Sequence, residues 1–138
     1  MEFTRRDTLA IGMGAVALTV LPFRVNAAAE EAISAFTGGA DIAETGVTLI
    51  APEIAENGNT VPIGVEAEGA VAIMVLAMGN PTPGVATFTF GELAGAHSAS
   101  TRIRLAGTQD LVAIAQMADG SFAKASSNEK VTIGGCGG

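Results

Sequence analysis

From Val47 onward, the chain consists of short apolar segments separated by residues that favour turns, and this pattern limits the fold more than any other feature. The segments are four to nine residues long, and several alternate between apolar and polar residues as half-buried strands do. Turn dipeptides separate them, most clearly Asn57-Gly58 and Asp119-Gly120. The predicted strands are Val47–Ile50, Val61–Ala67, Ala70–Met78, Thr87–Phe90, Ser100–Leu105, Leu111–Met117, Ser121–Ala125 and Lys130–Ile133. Seven or eight short strands at this spacing predict an all-β domain, an immunoglobulin-like β-sandwich.

The segment Ala70–Met78 is apolar almost throughout, unlike the alternating strands around it. It is too short to span a membrane as a helix, and Val71, Ile73 and Val75 favour a strand. Both faces of such a strand must be covered. We expect the core on one face and either a second layer or a protein partner on the other, so partner binding and an ordinary central strand are both open.

A short helix is predicted ahead of the strands, over Glu30–Phe36. Its two acidic residues at the start suit a helix N-terminus, and Ile33 and Phe36 lie on one apolar face. Gly38-Gly39 supplies a stop signal. We expect this helix to pack on the β domain.

Residues 1–27 have the pattern of an export signal peptide. Arg5 and Arg6 form a basic region, and the apolar stretch Thr8–Leu21 is too short for a comfortable membrane span. The Arg-Arg pair resembles a twin-arginine signal, although the general secretory route stays open. The mature protein is therefore expected in the periplasm, free of the membrane.

Charge argues against a nucleic-acid-binding protein. The formal net charge is −7, and removal of the signal would take away three arginines and two carboxylates, which makes it −8. The remaining cations are Arg102, Arg104, Lys124 and Lys130. Such an acidic domain lacks the basic surface that phosphate backbones require.

The last residues hold the only cysteine, Cys136, with two glycines on each side. Glycine lacks a Cβ, so Gly134, Gly135, Gly137 and Gly138 are expected to make this segment thin and flexible. We therefore divide the chain into the signal (1–27), a β-sandwich carrier domain with its helix (28–133), and a swinging arm (134–138).

The sequence around Cys136 contains nothing that would lower the pKa of a thiol, such as a nearby cation, a second cysteine or a metal site. A self-activated nucleophile is thus disfavoured, and the chain is predicted to be no enzyme in its own right. A thiol carrier served by other proteins, a disulfide-linked structural oligomer and an inert tail remain as alternatives.

The segment Val131–Gly138 resembles the C-terminal signature of SoxY, the sulfur-carrier subunit of the Sox thiosulfate-oxidation system. The resemblance extends in outline to an export signal, a short helix and a small all-β domain. It implies that Cys136 binds thiosulfate-derived sulfur covalently and presents it to other enzymes. It also implies a heterodimer with SoxZ, and successive action by a c-type cytochrome, a sulfate-releasing hydrolase and a sulfane dehydrogenase.

Other chemistry has weaker support. His97 is the only histidine, and a solvated loop position is more expected than a dyad with Cys136. One cysteine and one histidine do not make a zinc site, and Met74, Met78 and Met117 are more simply packing residues than copper ligands. No metal or cofactor is predicted. Glu66 and Glu68 fit a solvated acidic face. A thiocarboxylate donor built on the terminal Gly-Gly is disfavoured by the neighbouring cysteine and the export signal.

Overall fold

The structure, a computed structural model, describes the backbone of residues 23–135 and the side chains of residues 27–135. Within these residues, one helix is followed by nine strands. Their bounds are α1 Phe23–Thr37, β1 Ile42–Ala43, β2 Thr48–Ile50, β3 Ile54–Ala55, β4 Val61–Glu66, β5 Ala70–Ala77, β6 Gly84–Thr89, β7 Ser98–Ile103, β8 Gln109–Met117 and β9 Phe122–Val131.

The strands form two sheets packed face to face, which confirms the predicted all-β, immunoglobulin-like sandwich. The larger sheet has the order β1-β9-β8-β5-β6, with β3 also paired to β9, and the smaller has the order β2-β4-β7. The short strands β1 and β3 run parallel to β9, near its beginning and its end respectively. The other pairs are antiparallel.

The main core lies between the two sheets, because alternate residues of β4 and β8 point inward in the period-two pattern of a strand. Fully buried members include Val61, Val65, Ile73, Leu105 and Leu111. A second apolar cluster lies on the outer face of the larger sheet, where α1 packs on β5 and β8.

Strand β5 is buried by its own chain on both faces. Ile73 and Val75 face the inter-sheet core, while Met74 and Leu76 lie beneath Ile33 and Phe36 of α1. The second layer predicted for this strand is therefore the helix. The other alternative, that a protein partner covers this face, is wrong because the helix already occupies it.

Helix α1 packs on the sheet as predicted but begins at Phe23, seven residues before the predicted start at Glu30. The alanine-rich run before Glu30 favours the helical conformation, which explains the extension. Its first five residues overlap the predicted signal, most of which lies outside the described residues. The helix ends where Gly38 adopts a positive φ of 65° and its N–H bonds to Ser34 O.

The predicted strands Ser121–Ala125 and Lys130–Ile133 are wrong as two elements, because a single strand, β9, runs from Phe122 to Val131 and ends two residues before the second predicted strand does. Residues 126–129 continue the antiparallel pairing with β8 down to Gln109. Their inward-facing side chains include Ser127 and Glu129, and these polar residues hide the alternation in the sequence. The hairpin at Asp119-Gly120 is confirmed, with Gly120 at a φ of 87°.

Candidate functional site

The backbone just before Cys136 is held between two loops of the sandwich. Gly58 N–H donates to Ile133 O at 2.7 Å, and Gly135 N–H donates to Leu105 O at 2.7 Å. Leu105 N–H in turn donates to Gly58 O at 2.7 Å, so the two loops are also bonded to each other. We call Gly58, Leu105 and Ala106, together with the segment 133–135 that they hold, the arm clamp. Because Gly58 precedes β4 and Leu105 follows β7, the clamp attaches the end of β9 to the smaller sheet.

Glycine is required in the clamp because backbone atoms approach each other too closely for a side chain. A Cβ on Gly58 would lie 2.5 Å from Leu105 O, and one on Gly135 would lie 2.8 Å from Gly58 O. A Cβ on Gly134 would overlap Ala106 O. Real Cβ atoms essentially never approach this closely, so these positions admit glycine alone without a backbone shift.

Gly134 and Gly135 therefore serve a different purpose from the one the sequence suggested. Both were expected to contribute thinness and freedom to a swinging arm. Gly135 is instead buried and hydrogen-bonded. In both residues the absence of a side chain permits close packing against neighbouring carbonyl groups. Cys136, Gly137 and Gly138 lie outside the described residues, as do Arg5 and Arg6. The clamp thus ends one residue before the only cysteine of the chain.

A buried amide pair fixes the loop that carries Leu105 and Ala106. Asn80 Nδ2 donates to Arg104 O at 2.8 Å, and its Oδ1 accepts from Ala106 N–H at 2.9 Å. Gln109 Nε2 donates to the same Oδ1 at 2.9 Å, while Gln109 Oε1 accepts from Gly79 N–H at 2.8 Å. Buried polar groups that satisfy one another in this way make the loop rigid. The sequence analysis missed both residues, since a turn asparagine and a strand glutamine carry no local signal of burial.

Residues 131–133 lead from β9 into the clamp along two further contacts. Val131 N–H donates to Thr108 Oγ1 at 3.0 Å, and Thr132 N–H donates to Ala55 O at 2.9 Å. Ala55 belongs to β3, which pairs in parallel with Lys130 and Val131. Backbone hydrogen bonds therefore hold the chain beyond the end of β9 as far as Gly135.

A buried carboxyl group lies two residues before the end of β9. Glu129 has a relative exposure of 0% and stands across the strand pair from Gln109. Its Oε1 accepts from Ser127 Oγ at 3.1 Å, whereas Oε2 has no hydrogen-bond partner among the described residues. Burial raises the pKa of Glu129, and the Ser127 hydrogen bond only partly opposes this. Protonation of Glu129 is therefore easier in the folded protein than in the unfolded chain.

His97 has a structural position away from the clamp. Its Nδ1 accepts from Gly69 N–H at 2.9 Å, and its ring stacks on Phe90 with centroids 5.7 Å apart. Leu105 of the clamp lies eight residues after His97, which corresponds to roughly 26 Å along an extended chain. His97 is thus partly buried and holds the loop before β7 against the β4–β5 turn, rather than being the fully solvated loop residue expected from the sequence.

The remaining candidate residues have packing or surface positions. Met74 is buried and Met78 and Met117 pack against the two apolar clusters, while Glu66 and Glu68 are exposed. Within residues 27–135, no three His, Cys, Asp or Glu side chains come together as metal ligands would. In the same part of the chain, no helix has the length and hydropathy needed to cross a bilayer.

Comparison with known proteins gives two concordant matches. A sequence profile described as "Sulfur oxidation protein SoxY" matches residues 33–136. The solved structure of the sulfur carrier protein SoxY from Chlorobium limicola f thiosulfatophilum is 35% identical, with a TM-score of 0.67, and the match covers 78% of this chain and 99% of that one. A search of curated protein sequences found no match.

A more distant likeness concerns the fold alone. The superoxide reductase (neelaredoxin) from Ignicoccus hospitalis is 15% identical with a TM-score of 0.56, over 63% of this chain and 80% of that one. At that identity the sandwich is shared without its chemistry. The profile match, by contrast, extends over most of the chain, and the Chlorobium carrier is matched along almost its whole length. The chain therefore belongs to the SoxY family, and it is a sulfur carrier of sulfur oxidation.

Proposed function

We propose that this protein carries thiosulfate-derived sulfur covalently on Cys136 and presents it, in the periplasm, to the enzymes of thiosulfate oxidation. The observation that carries the proposal is the arm clamp, which holds the backbone up to the residue before the only cysteine. A thiol attached one residue after a held backbone belongs to a rigid domain end, which suits transfer to another protein.

The chemistry requires enzymes supplied by other chains. The Cys136 thiolate and thiosulfate join through a new S–S bond to give a cysteine S-thiosulfonate, and the two electrons released pass to a c-type cytochrome. Water then cleaves the terminal sulfone as sulfate with loss of two protons, in a hydrolase, and a persulfide remains on Cys136. A sulfane dehydrogenase then oxidises that outer sulfur to a sulfonate, with the oxygen atoms taken from water and the electrons passed to a c-type cytochrome. A second hydrolysis releases this group as sulfate and frees the thiol.

SoxZ is the proposed stable partner, in a heterodimer.

Residues 1–27 are the proposed export signal, read by the twin-arginine machinery, which moves folded cargo. Changing Arg5→Lys together with Arg6→Lys should leave the precursor in the cytoplasm, as measured by fractionation and immunoblotting. Normal export of that double variant would exclude the twin-arginine route.

The proposal is tested by the intact mass of the protein from cells grown with and without thiosulfate. We expect adducts of sulfur or thiosulfate mass that appear on thiosulfate, disappear with a thiol reductant and map to Cys136. The Cys136→Ser variant is the matched control, and it should fold normally, carry no adduct and support no turnover.

A disulfide-linked structural role makes the opposite prediction. In that case the mass would be twice that of the monomer under both growth conditions, and it would fall to the monomer mass on reduction. Turnover supported by Cys136→Ser would likewise contradict the carrier proposal.

A further inference from the structure

The buried side chain of Asn80 binds the loop after β7 on both sides of Leu105. Asn80 has a relative exposure of 0%, although it lies in the turn between β5 and β6. Its Nδ2 donates to Arg104 O at 2.8 Å, and its Oδ1 accepts from Ala106 N–H at 2.9 Å. A buried amide whose hydrogen bonds are broken finds no water to replace them, so Asn80 holds this loop in one conformation.

These bonds fix two consecutive planar peptide units of the loop. One unit ends at the N–H of Leu105, and the next begins at the carbonyl of Leu105. Asn80 bonds to one side of each unit. On the opposite sides, Leu105 N–H donates to Gly58 O at 2.7 Å, and Leu105 O accepts from Gly135 N–H at 2.7 Å. Because each unit is planar, the Asn80 side chain sets the direction in which Leu105 O points at Gly135.

Gln109 in turn fixes the amide group of Asn80. Its Nε2 donates to Asn80 Oδ1 at 2.9 Å and to Gly107 O at 3.0 Å, and its Oε1 accepts from Gly79 N–H at 2.8 Å. Asn80 Oδ1 thus faces two donors, so an amide that turned over would place its own N–H groups against them. Gln109 is the first residue of β8, which lies between β5 and β9. A chain of hydrogen bonds therefore runs from the larger sheet through Asn80 to Gly135.

The clamp determines how much of the chain before Cys136 is free. With the bonds to Ile133 and Gly135 in place, the backbone is held up to the residue that precedes the cysteine. If both were lost, the preceding backbone bond, from Thr132 N–H to Ala55 O at 2.9 Å, would be the last one. Three more residues would then be free, at most about 11 Å of extended chain. The conformation of the loop therefore governs the direction and the reach of the segment that bears the thiol.

We propose that Asn80 and Gln109, the amide pair, are positioning residues for the carrier thiol. They act through the loop at Leu105 to hold Gly135, so that the domain presents the residue after it in one direction. This inference rests on the proposed carrier function. An arm that is ordered before binding loses less conformational entropy in the complex than a free arm does. A carrier with its amide pair intact is therefore bound at a lower concentration than one whose arm is free.

The first test measures the mobility of a nitroxide spin label on Cys136, in the full-length carrier with its proposed partner subunit. Asn80→Ala should narrow the spectral lines of the label, because the peptide unit that holds Gly135 is no longer fixed. Phe36→Ala is the matched control, since it also removes a packed side chain, from the helix on the outer face of the larger sheet. It should lower the melting temperature and leave the label unchanged. Equal narrowing in the two variants would overturn the proposal, because any loss of stability would then suffice.

The second test is kinetic and uses the purified cytochrome that loads thiosulfate. Cytochrome reduction is followed as the carrier concentration varies. Asn80→Ala should raise KM for the carrier about fivefold with kcat within about twofold, because the cost lies in ordering the arm and the thiol is unchanged. Phe36→Ala should leave both constants unchanged. An unchanged KM in a folded Asn80→Ala variant would contradict the positioning role.

A double-variant cycle determines whether Asn80 acts through the clamp. A Cβ on Gly135 would lie 2.8 Å from Gly58 O, so Gly135→Ala disrupts the bond to Leu105 O from the other side. The variant that combines Asn80→Ala with Gly135→Ala should therefore have the same label mobility and the same KM as Gly135→Ala alone. Additive changes would overturn the route through Leu105.

A further variant, Gln109→Met, tests the other member of the amide pair. It keeps the length of the side chain and removes its hydrogen bonds, so it serves the same comparisons if Asn80→Ala does not fold. Circular dichroism and the melting temperature establish folding. Unchanged label mobility and KM in these folded variants, with turnover abolished by Cys136→Ser, would overturn the positioning role alone. Turnover that survives Cys136→Ser would overturn the carrier function itself.

Discussion

At the scale of single residues, Gly134 and Gly135 have a packing role. Gly134 and Gly135 are surrounded by carbonyl oxygens of Gly58, Leu105 and Ala106, so their lack of a side chain permits close packing. Nothing in the sequence separates these two from the glycines after Cys136. The distinction depends on Gly58 and Leu105, which are distant in the chain.

Gly135→Ala should therefore loosen the clamp. The added Cβ would displace Gly58 O and break the Gly135–Leu105 hydrogen bond, at a cost of about 1–3 kcal/mol in the free energy of unfolding. Urea denaturation measures this loss. A spin label on Cys136 should also become more mobile, because its attachment point is released.

Gly107→Ala is the control for that variant, since a Cβ there meets nothing within 4 Å and Gly107 lies in the same loop. This variant should leave the free energy of unfolding unchanged, or raise it slightly because alanine leaves the unfolded chain fewer conformations than glycine does. Equal stability and equal label mobility for Gly135→Ala and Gly107→Ala would show that the clamp does not hold the arm.

Glu129 makes the stability of the fold depend on pH. Because burial raises the pKa of Glu129 in the folded protein, its contribution to stability is complete below the ordinary carboxyl pKa and is lost as pH rises through the raised value. Glu129→Gln mimics the protonated form. The variant should be more stable than the parent at pH 7, with the difference closing toward pH 4.

Urea titrations across that pH range check this prediction, with Glu68→Gln as the control that removes the same charge from an exposed site. A Glu129→Gln protein that is less stable than the parent at pH 7 would mean that the carboxylate is ionised and paired in the folded state.

At the scale of elements, α1 forms a second layer on the outer face of the larger sheet. Phe36 contacts Phe122 edge-to-face, with centroids 5.9 Å apart and an interplanar angle of 69°. Met74, Leu76 and Ile114 lie beneath the same helix. An all-apolar strand such as β5 is stable in this sandwich because the chain covers its outer face itself.

Phe36→Ala should lower the free energy of unfolding by about 2 kcal/mol, less than for a fully buried phenylalanine because Phe36 is only partly buried. Ser34→Ala, on the exposed face of the same helix, should have little effect. If the two variants unfold at the same urea concentration, the helix does not stabilise the sheet.

The elements also show what a single sequence could and could not predict. Strands such as β4 and β7 were predictable because their apolar residues alternate and turn residues bound them. Strand β3 was missed because Ile54 and Ala55 stand between exposed acidic residues and pair with β9, distant in sequence. The clamp was unpredictable for the same reason, since it depends on backbone groups of Gly58 and Leu105, whose role no side chain reveals.

At the scale of the whole molecule, the arm clamp lies at one end of the sandwich, where it holds the backbone that leads to Cys136. The family resemblance of Val131–Gly138 predicted the carrier function, which the matches with SoxY bear out at the level of a sulfur carrier. His97 and Phe90 stabilise the far end of β7, and the buried Asn80–Gln109 pair stabilises the end that bears the clamp. Side-chain contacts thus support both ends of β7 within the described residues, and the clamp lies at one of them.

The clamp also has a mechanical consequence. On the proposed function, an enzyme that holds the sulfur on Cys136 while the carrier leaves pulls on the backbone through Gly135. Hydrogen bonds at Gly135, Ile133 and Thr132 then share the load, and they pass it to β3 and to the loops beside β4 and β7. The load thus reaches these contacts before it reaches the pairing of β9 with β8. The domain can therefore be pulled free of its enzymes by its own cargo attachment without opening the sheet that supports it.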